Sequence, residues 1–440
     1  MGTDVRNPAD RRRYPSRWPM RRGKELFKEV DERSPDGSEE LLSVSHITGI
    51  TPRSEKNVTM FQSESLVGYK ICRRNDIAAN TMWTWQGAIG VSAYDGVISP
   101  SYNVYRQRQD FYNPRYLDFL LREPALVDVY DSLSTGIRPS RRRLYPEEFL
   151  TIRFPVPKRE EQDRIVNFLA DKSAEIDKVV SVRQKQIDEL EELKKAIIHR
   201  AVTRGIRETG GRVSSRAENG AAAVDSRPPS STSWIGDLPQ GWEVKRLSAI
   251  GTFSKGGGIS RNELQEAGLP AILYGDIYTK YDYCAREIAN HISEKTANSS
   301  VRIKAGDILM TGSGETKEDI GKTIVFLGDE AYIGGDVILF RQADNDSCFL
   351  SYALNDESAK AFRYKAAKGD IIVHIYANSL KNLEVALPPL PVQREIVAYL
   401  DEKCAAIDGA IANKRKSIEE LTALKSRIIA DAVTGRMEVE

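Results

Sequence analysis

Long apolar runs are missing from this 440-residue chain. No stretch approaches the roughly 20 consecutive apolar residues that a membrane-crossing helix needs. The arginine-rich start (Arg11, Arg12, Arg13) has no apolar segment behind it, so it does not read as a secretion signal. Cysteine is scarce too. Cys72, Cys284, Cys348 and Cys404 are scattered with no Cys-x-x-Cys pair, which predicts reduced thiols. The four histidines, His46, His199, His291 and His374, are isolated and form no metal-ligand spacing. Net charge is nearly absent: 64 Lys and Arg against 63 Asp and Glu leave +1, so only local clusters can favour a polyanion. The expectation is a cytoplasmic protein with no membrane contact, metal or cofactor.

What the chain does have is a long repeat. Gln162–Thr203 returns as Gln393–Thr434 without a gap, at a constant offset of 231 residues (393 − 162 = 231). Ile176, Val180, Ile187, Leu190, Leu193 and Ile197 step by three, four or seven residues. Ile407, Ile411, Ile418, Leu421, Leu424 and Ile428 step in the same way. That period is a coiled-coil seam rather than the broader stripe of a surface helix. About forty residues at 1.5 Å each give a rod of roughly 60 Å. Arg183 and Lys414 sit within the seams, where a polar residue fixes register. Identical seams on two rods of one chain favour antiparallel pairing within the chain, over helices that each pack only on their own module.

Composition marks the boundaries. Residues 207–233, rich in Gly, Ser, Ala and Pro, read as a flexible linker. Prolines at 155, 157, 388, 389 and 391 pre-set the entry to each rod. The expected order is a first module (1–155), a helix (156–206), the linker, a second module (234–388) and a second helix (389–440). The fold class is α+β, with a pseudo-twofold repeat. The modules echo each other only faintly. Pro239-Gln-Gly-Trp242 has a divergent counterpart in Pro15-Ser-Arg-Trp18, and Gly306-Asp-Ile308 matches Asn75-Asp-Ile77 at the same offset. A β-rich run follows each of the latter, near Ala88 and near Thr323.

Catalytic look-alikes do not hold up. Gly314 to Thr323 resembles a phosphate loop, but Thr316 stands where the motif needs glycine, and a strand rather than a helix is expected after it. Asn113-Pro-Arg-Tyr116 resembles the base-flipping loop of amino-methyltransferases, with Arg115 in place of the second proline and no glycine-rich cofactor loop before it. A turn that starts a helix over 115–121 explains it better. Paired carboxylates such as Glu191 and Glu192 are solvated surface charge.

Recognition remains. In the first module the candidate DNA-contacting residues are Arg53, the aromatic-polar run with Thr81, Trp83, Trp85 and Gln86, and the loop with Thr135, Arg138, Arg141, Arg142 and Arg143. In the second they are Tyr278, Lys280, the loop with Thr311, Ser313, Thr316 and Lys317, and Lys365, Lys368 and His374. Guanidinium and ammonium groups can neutralise phosphates, and Arg, Gln and Lys can reach base edges.

Taken together, Pro-x-Gly-Trp at 239–242, Gly306-Asp307-Ile308, Leu387-Pro-Pro-Leu-Pro391 before Gln393, and the duplicated helix resemble the specificity subunits of type I restriction–modification systems. The resemblance spans essentially the whole chain. It implies two target-recognition domains, each reading half of a bipartite sequence in double-stranded DNA and spaced by an antiparallel coiled coil. It also implies that the chemistry belongs to partners: two methyltransferase subunits and, in the larger complex, restriction motor-nuclease subunits. The alternatives are an adenine methyltransferase with fused recognition domains and a coiled-coil adaptor that binds protein.

Overall fold

The computed structural model describes residues 14–55, 65–136, 142–206, 238–369 and 372–439. The expected linker, Arg138, Arg141 and the Arg11–Arg13 cluster fall outside these residues. The chain divides into two compact units, one made of residues 1–184 with 415–440 and the other of residues 185–414. Both long helices, Arg159–Arg204 and Leu390–Val433, therefore contribute to both units. Among the described residues no helix is long and apolar enough to cross a membrane.

In the first unit an antiparallel sheet orders its strands Phe27–Val30, Asn103–Gln107, Ile77–Ala79, Ile89–Val91. Helices Pro114–Leu121 and Pro124–Leu133 follow it. The short helix Pro146–Phe149 comes next, and then the strand Arg153–Pro155, which pairs with Met20–Arg22 at the module's entrance. The core joins Phe27, Tyr105, Tyr116, Leu120 and Phe149 to Ile165 and Leu169 at the start of the first long helix, and to Ala432 and Val433 at the end of the second.

The second unit repeats this plan. Its sheet runs Thr252–Lys255, Val337–Arg341, Ile308–Thr311, Thr323–Phe326, with Cys284–Ala285 added at the edge in parallel. Helices Ser347–Asn355 and Glu357–Ala366, the short helix Ala377–Leu380, and the strand Glu384–Leu387 paired with Glu243–Arg246 come in the same order. A second five-stranded sheet (Leu264–Gln265, Asn290–Ile292, Leu269–Ile272, Glu330–Ile333, Val301–Lys304) is added. Here the core takes Ile198, Ala201 and Val202 from the end of the first long helix, and Ile396, Leu400 and Cys404 from the start of the second. Each module is thus seated on the beginning of its own helix and the end of the other.

The long helices pack antiparallel. Within the second unit Lys414 Nζ donates to Gln186 (2.8 Å) and Lys194 Nζ bonds Asp408 (2.8 Å), so numbers rise along one helix as they fall along the other. The first unit holds the counterpart of the second pair, Lys425 Nζ to Asp177 at 2.7 Å. Ile176, Ile187, Ile407 and Ile411 are buried, while Val180, Leu190, Ile197, Ile418, Leu421 and Ile428 are half-buried. Leu193 and Leu424 correct the expected seam, being 48% and 43% exposed. A strict four-three alternation from Ile176 passes through Arg183, Ile187, Leu190 and then residue 194, not 193. Lys194 and Lys425 therefore take the seam-edge places, and each answers an aspartate of the opposite helix.

The shared motifs are structural staples. Asn75 and Gly306 adopt positive φ (70° and 90°), a conformation that asparagine tolerates better than most residues, so the substitution preserves the turn. The following aspartates are buried, and each accepts a backbone N–H and binds a guanidinium. Asp76 takes Arg73 N (3.0 Å) and Arg106 (2.7 Å), and Asp307 takes Lys304 N (3.0 Å) and Arg341 (2.8 Å). Gln162 and Gln393, both buried, clamp module to helix. Gln162 donates to Phe111 O and Pro157 O and accepts from Asn113 N. Gln393 donates to Asn345 Oδ1 and Pro388 O and accepts from Asp346 N. Gly205 and Gly435 (φ 82° and 67°) end the long helices in the left-handed conformation. Trp242 lies against the first of these ends and Trp18 against the second, so the Pro-x-x-Trp motif docks each module's entrance onto a helix terminus.

Candidate nucleic-acid interface

Two loops converge in each module, and the same backbone hydrogen bond ties them. In the first module the strand Ile77–Ala79 leads into a loop that ends in the 3-10 turn Thr84–Gln86. The segment after helix Pro124–Leu133 returns beside it: Thr135 and Arg143 bridge, and Leu144 N donates to Thr81 O (3.4 Å). In the second module Ile308–Thr311 leads into the matching loop. Lys368 and His374 bridge, and Ile375 N donates to Gly312 O (3.0 Å). Residues 81 and 144 correspond to 312 and 375 at the repeat offset of 231, so the tie is inherited from the duplication.

The chemistry on this frame differs. In the first module Trp83 and Trp85 stack with centroids 6.3 Å apart and planes 14° from parallel. Trp85 Nε1 donates to Met82 O (2.8 Å), and the Arg142 guanidinium lies 5.4 Å from the Trp85 ring centroid, a cation–π arrangement that draws the two loops together. Arg142 is also anchored by Asp131. Trp83, 45% exposed, and Gln86, also exposed, are left on the surface. A flat aromatic face beside cations is the arrangement that nucleic-acid-binding surfaces use for stacking.

In the second module the Thr311 hydroxyl donates to Tyr278 Oη (2.7 Å), which donates to Ser313 O (3.1 Å). Ser313 Oγ and His374 Nδ1 share a hydrogen bond of 2.9 Å. Burial pushes the Tyr278 phenol up to about 12, so it stays protonated and keeps donating at neutral pH. Thr316 and Lys317 follow on the outer part of the loop, where the Thr316 hydroxyl donates to Asp319 (3.3 Å). Lys365 and Lys368 are exposed on the adjoining segment, and Lys280 is exposed and paired with Asp276 (2.9 Å). Arg53 lies in the 3-10 turn Arg53–Glu55, away from both converging loops in sequence, and is half-buried.

Three expected contacts need correction. Thr81, Thr311 and Ser313 are buried, and their hydroxyls are engaged inside the protein, Thr81 with Ser101 O. They build the loops rather than reach out of them. The Asn113-Pro-Arg-Tyr segment is a helix start: Asn113 Oδ1 accepts from Arg115 N (2.9 Å) and Tyr116 N (3.4 Å), with Pro114 in the first turn of the helix. The segment with Gly321 runs into the strand Thr323–Phe326, with no helix to present N–H groups. Sequence reasoning missed Arg363, which is fully buried below this loop and donates to Ile320 O (2.9 Å) and Leu354 O. Burial pulls it down to about 10, still charged at neutral pH. No spacing signal distinguishes it from the exposed cations nearby.

Residues 239–423 match the family model described as the type I restriction modification DNA specificity domain. Curated type I specificity subunits are similar to the chain in sequence. The MjaVIII specificity subunit of Methanocaldococcus jannaschii is 24% identical over 84% of this chain and 81% of its own length. A putative specificity subunit of Haemophilus influenzae, S.HindORF215P, is 28% identical over 36% of this chain and 40% of its own. A chain from a structural study of complex assembly and conformational transition in the type I R-M system superposes with a TM-score of 0.68. It is 18% identical, with 96% of this chain and 99% of that one covered, and the likeness establishes that the two chains share a fold.

Proposed function

We propose that this chain is a sequence-specific DNA-recognition subunit of a type I restriction–modification complex, without catalytic activity of its own. The modules within 1–155 and 234–388 each read one half of a bipartite duplex sequence. The observation that carries the reading is the paired-loop frame, present at equivalent positions in both modules and furnished with different side chains in each. A duplicated frame with divergent loops suits two different half-sites. Linking two readers raises the effective concentration of the second once the first is bound, so two weak contacts give one tight one.

Cations near the loops (Arg142, Arg143, Lys317, Lys365, Lys368) supply phosphate contacts, while Trp83, Gln86, Thr316 and His374 face bases. Methyl transfer and any restriction belong to partner subunits: methyltransferase subunits, two in number, and motor-nuclease subunits in the larger assembly. An adaptor that binds only protein would not select DNA. The test is selection of duplexes from a random pool by the full chain with its methyltransferase subunits, followed by methylation mapping. A two-part sequence with a fixed gap is the expected result, together with no methyl transfer by the rigorously purified chain alone. A pool that stays random would overturn the reading.

A further inference from the structure

The residues that differ between the modules make one exposed identity conspicuous. From 142–156 against 373–387, at the repeat offset, Tyr145 and Tyr376 are the one identical pair. The neighbouring reader positions have all changed: Trp83 faces Gly314 in the alignment, Trp85 faces Thr316, Gln86 faces Lys317 and Arg143 faces His374. A core role would explain an unchanged residue, but both tyrosines are on the surface, 47% and 56% exposed. Among the described residues neither phenolic hydroxyl has a hydrogen-bond partner.

Their backbones, in contrast, are fixed. Tyr145 O accepts from Glu148 N and Phe149 N (both 3.1 Å), and Tyr376 O accepts from Ser379 N (2.9 Å) and Leu380 N (3.2 Å). The preceding residues, Leu144 and Ile375, make the tie between the paired loops. Each ring thus stands at the edge of its candidate interface, two residues beyond a cationic or imidazole side chain. In the second module the Tyr376 ring stacks beside His374, 6.4 Å between centroids with planes 25° apart.

Two readers of different base sequences share one ligand chemistry, the deoxyribose–phosphate chain. We infer that Tyr145 and Tyr376 are equivalent, sequence-independent contacts to that backbone, each phenol donating to a phosphate oxygen while its ring lies along the sugar. The inference rests on the DNA-reading proposal above. It adds that each module has a constant contact that sets its height on the duplex, beside variable ones that read bases. A neutral donor releases no counterion, so it strengthens binding without adding to the salt dependence.

The test uses the full chain with its methyltransferase subunits, two duplexes (one selected from a random pool by the unaltered complex, one unrelated) and the variants Tyr145→Phe, Tyr376→Phe and both. Phenylalanine keeps the ring and the packing, so folding is preserved. We expect each single variant to weaken binding about tenfold, the range for losing a hydrogen bond to a charged group. The loss should be equal on both duplexes, multiplicative in the double variant, and accompanied by an unchanged salt slope. Loss confined to one base position would make the residue a base reader. Failure to assemble with the methyltransferase subunits would make this a protein interface. Unchanged affinity would mean that the hydroxyls touch nothing. Each of these overturns the inference while the DNA-reading proposal stands; only an unaltered complex that selects no duplex would sink both.

Discussion

In the first module the loop after Ile77–Ala79 presents Trp83, stacked on Trp85 and braced by Arg142. The loop at the matching place in the second locks Thr311, Tyr278, Ser313 and His374 into hydrogen bonds and exposes Thr316 instead. Around both loops nearly everything is repeated: the tie to the returning segment, the buried aspartate with its arginine, the glutamine clamp and the paired seam. Duplication has been kept where it holds backbone in place and, Tyr145 and Tyr376 apart, lost where the loop side chains face outward. That division separates the scaffold from the reader without any appeal to other sequences.

The largest effects should come from breaking the constant part. Gln393→Leu leaves Asp346 N, Pro388 O and Asn345 Oδ1 without their partner in a buried site. It should cost about 2–4 kcal/mol in denaturant unfolding of the second unit, and Gln162→Leu should do the same to the first. Costs below about 0.5 kcal/mol for both would mean the clamps are incidental. The variable part should respond locally. Trp83→Ala and His374→Ala should each cost about 1–3 kcal/mol in binding, each at one half-site and not the other. If either variant relaxes both half-sites, the modules do not read independently. Arg143→Ala should lower the salt slope by roughly one while leaving base preference intact, which Trp83→Ala should not do.

The smallest effect sharpens the scaffold itself. Leu193→Asp and Leu424→Asp should change stability by no more than about 0.5 kcal/mol, because both side chains are already exposed, whereas Ile187→Asp places a charge in a buried seam and should cost several times as much. Equal costs at residues 187 and 193 would refute the seam register that runs through Lys194.

The long helices and their antiparallel pairing were legible because a period near 3.5 over some forty residues leaves few other ways to bury the apolar face. The register was less so: hydrophobicity alone favoured Leu193, and only strict alternation selects Lys194, whose stem packs while its amine reaches Asp408. The candidate loops were legible as regions, since polar and cationic clusters between strand-like runs mark them. Individual residues were not. A threonine or serine can turn its hydroxyl inward or outward, and Thr81, Thr311 and Ser313 turn it inward. Gln162 and Gln393 were visible as a repeated residue after proline, but two of the three hydrogen bonds that explain each join positions about fifty residues apart. The tyrosine pair was hidden because the sequence around it has diverged.

Exchange of the second module tests the account most directly. Residues 234–388 would be replaced by those of a relative with a different target, joined at Trp234 and Pro391, and the chain co-expressed with its methyltransferase subunits. Methylated sites would then be mapped across a genome. The account predicts that one half of the recognition sequence changes while the other half is retained. A new sequence in both halves, or an unchanged one, would contradict it.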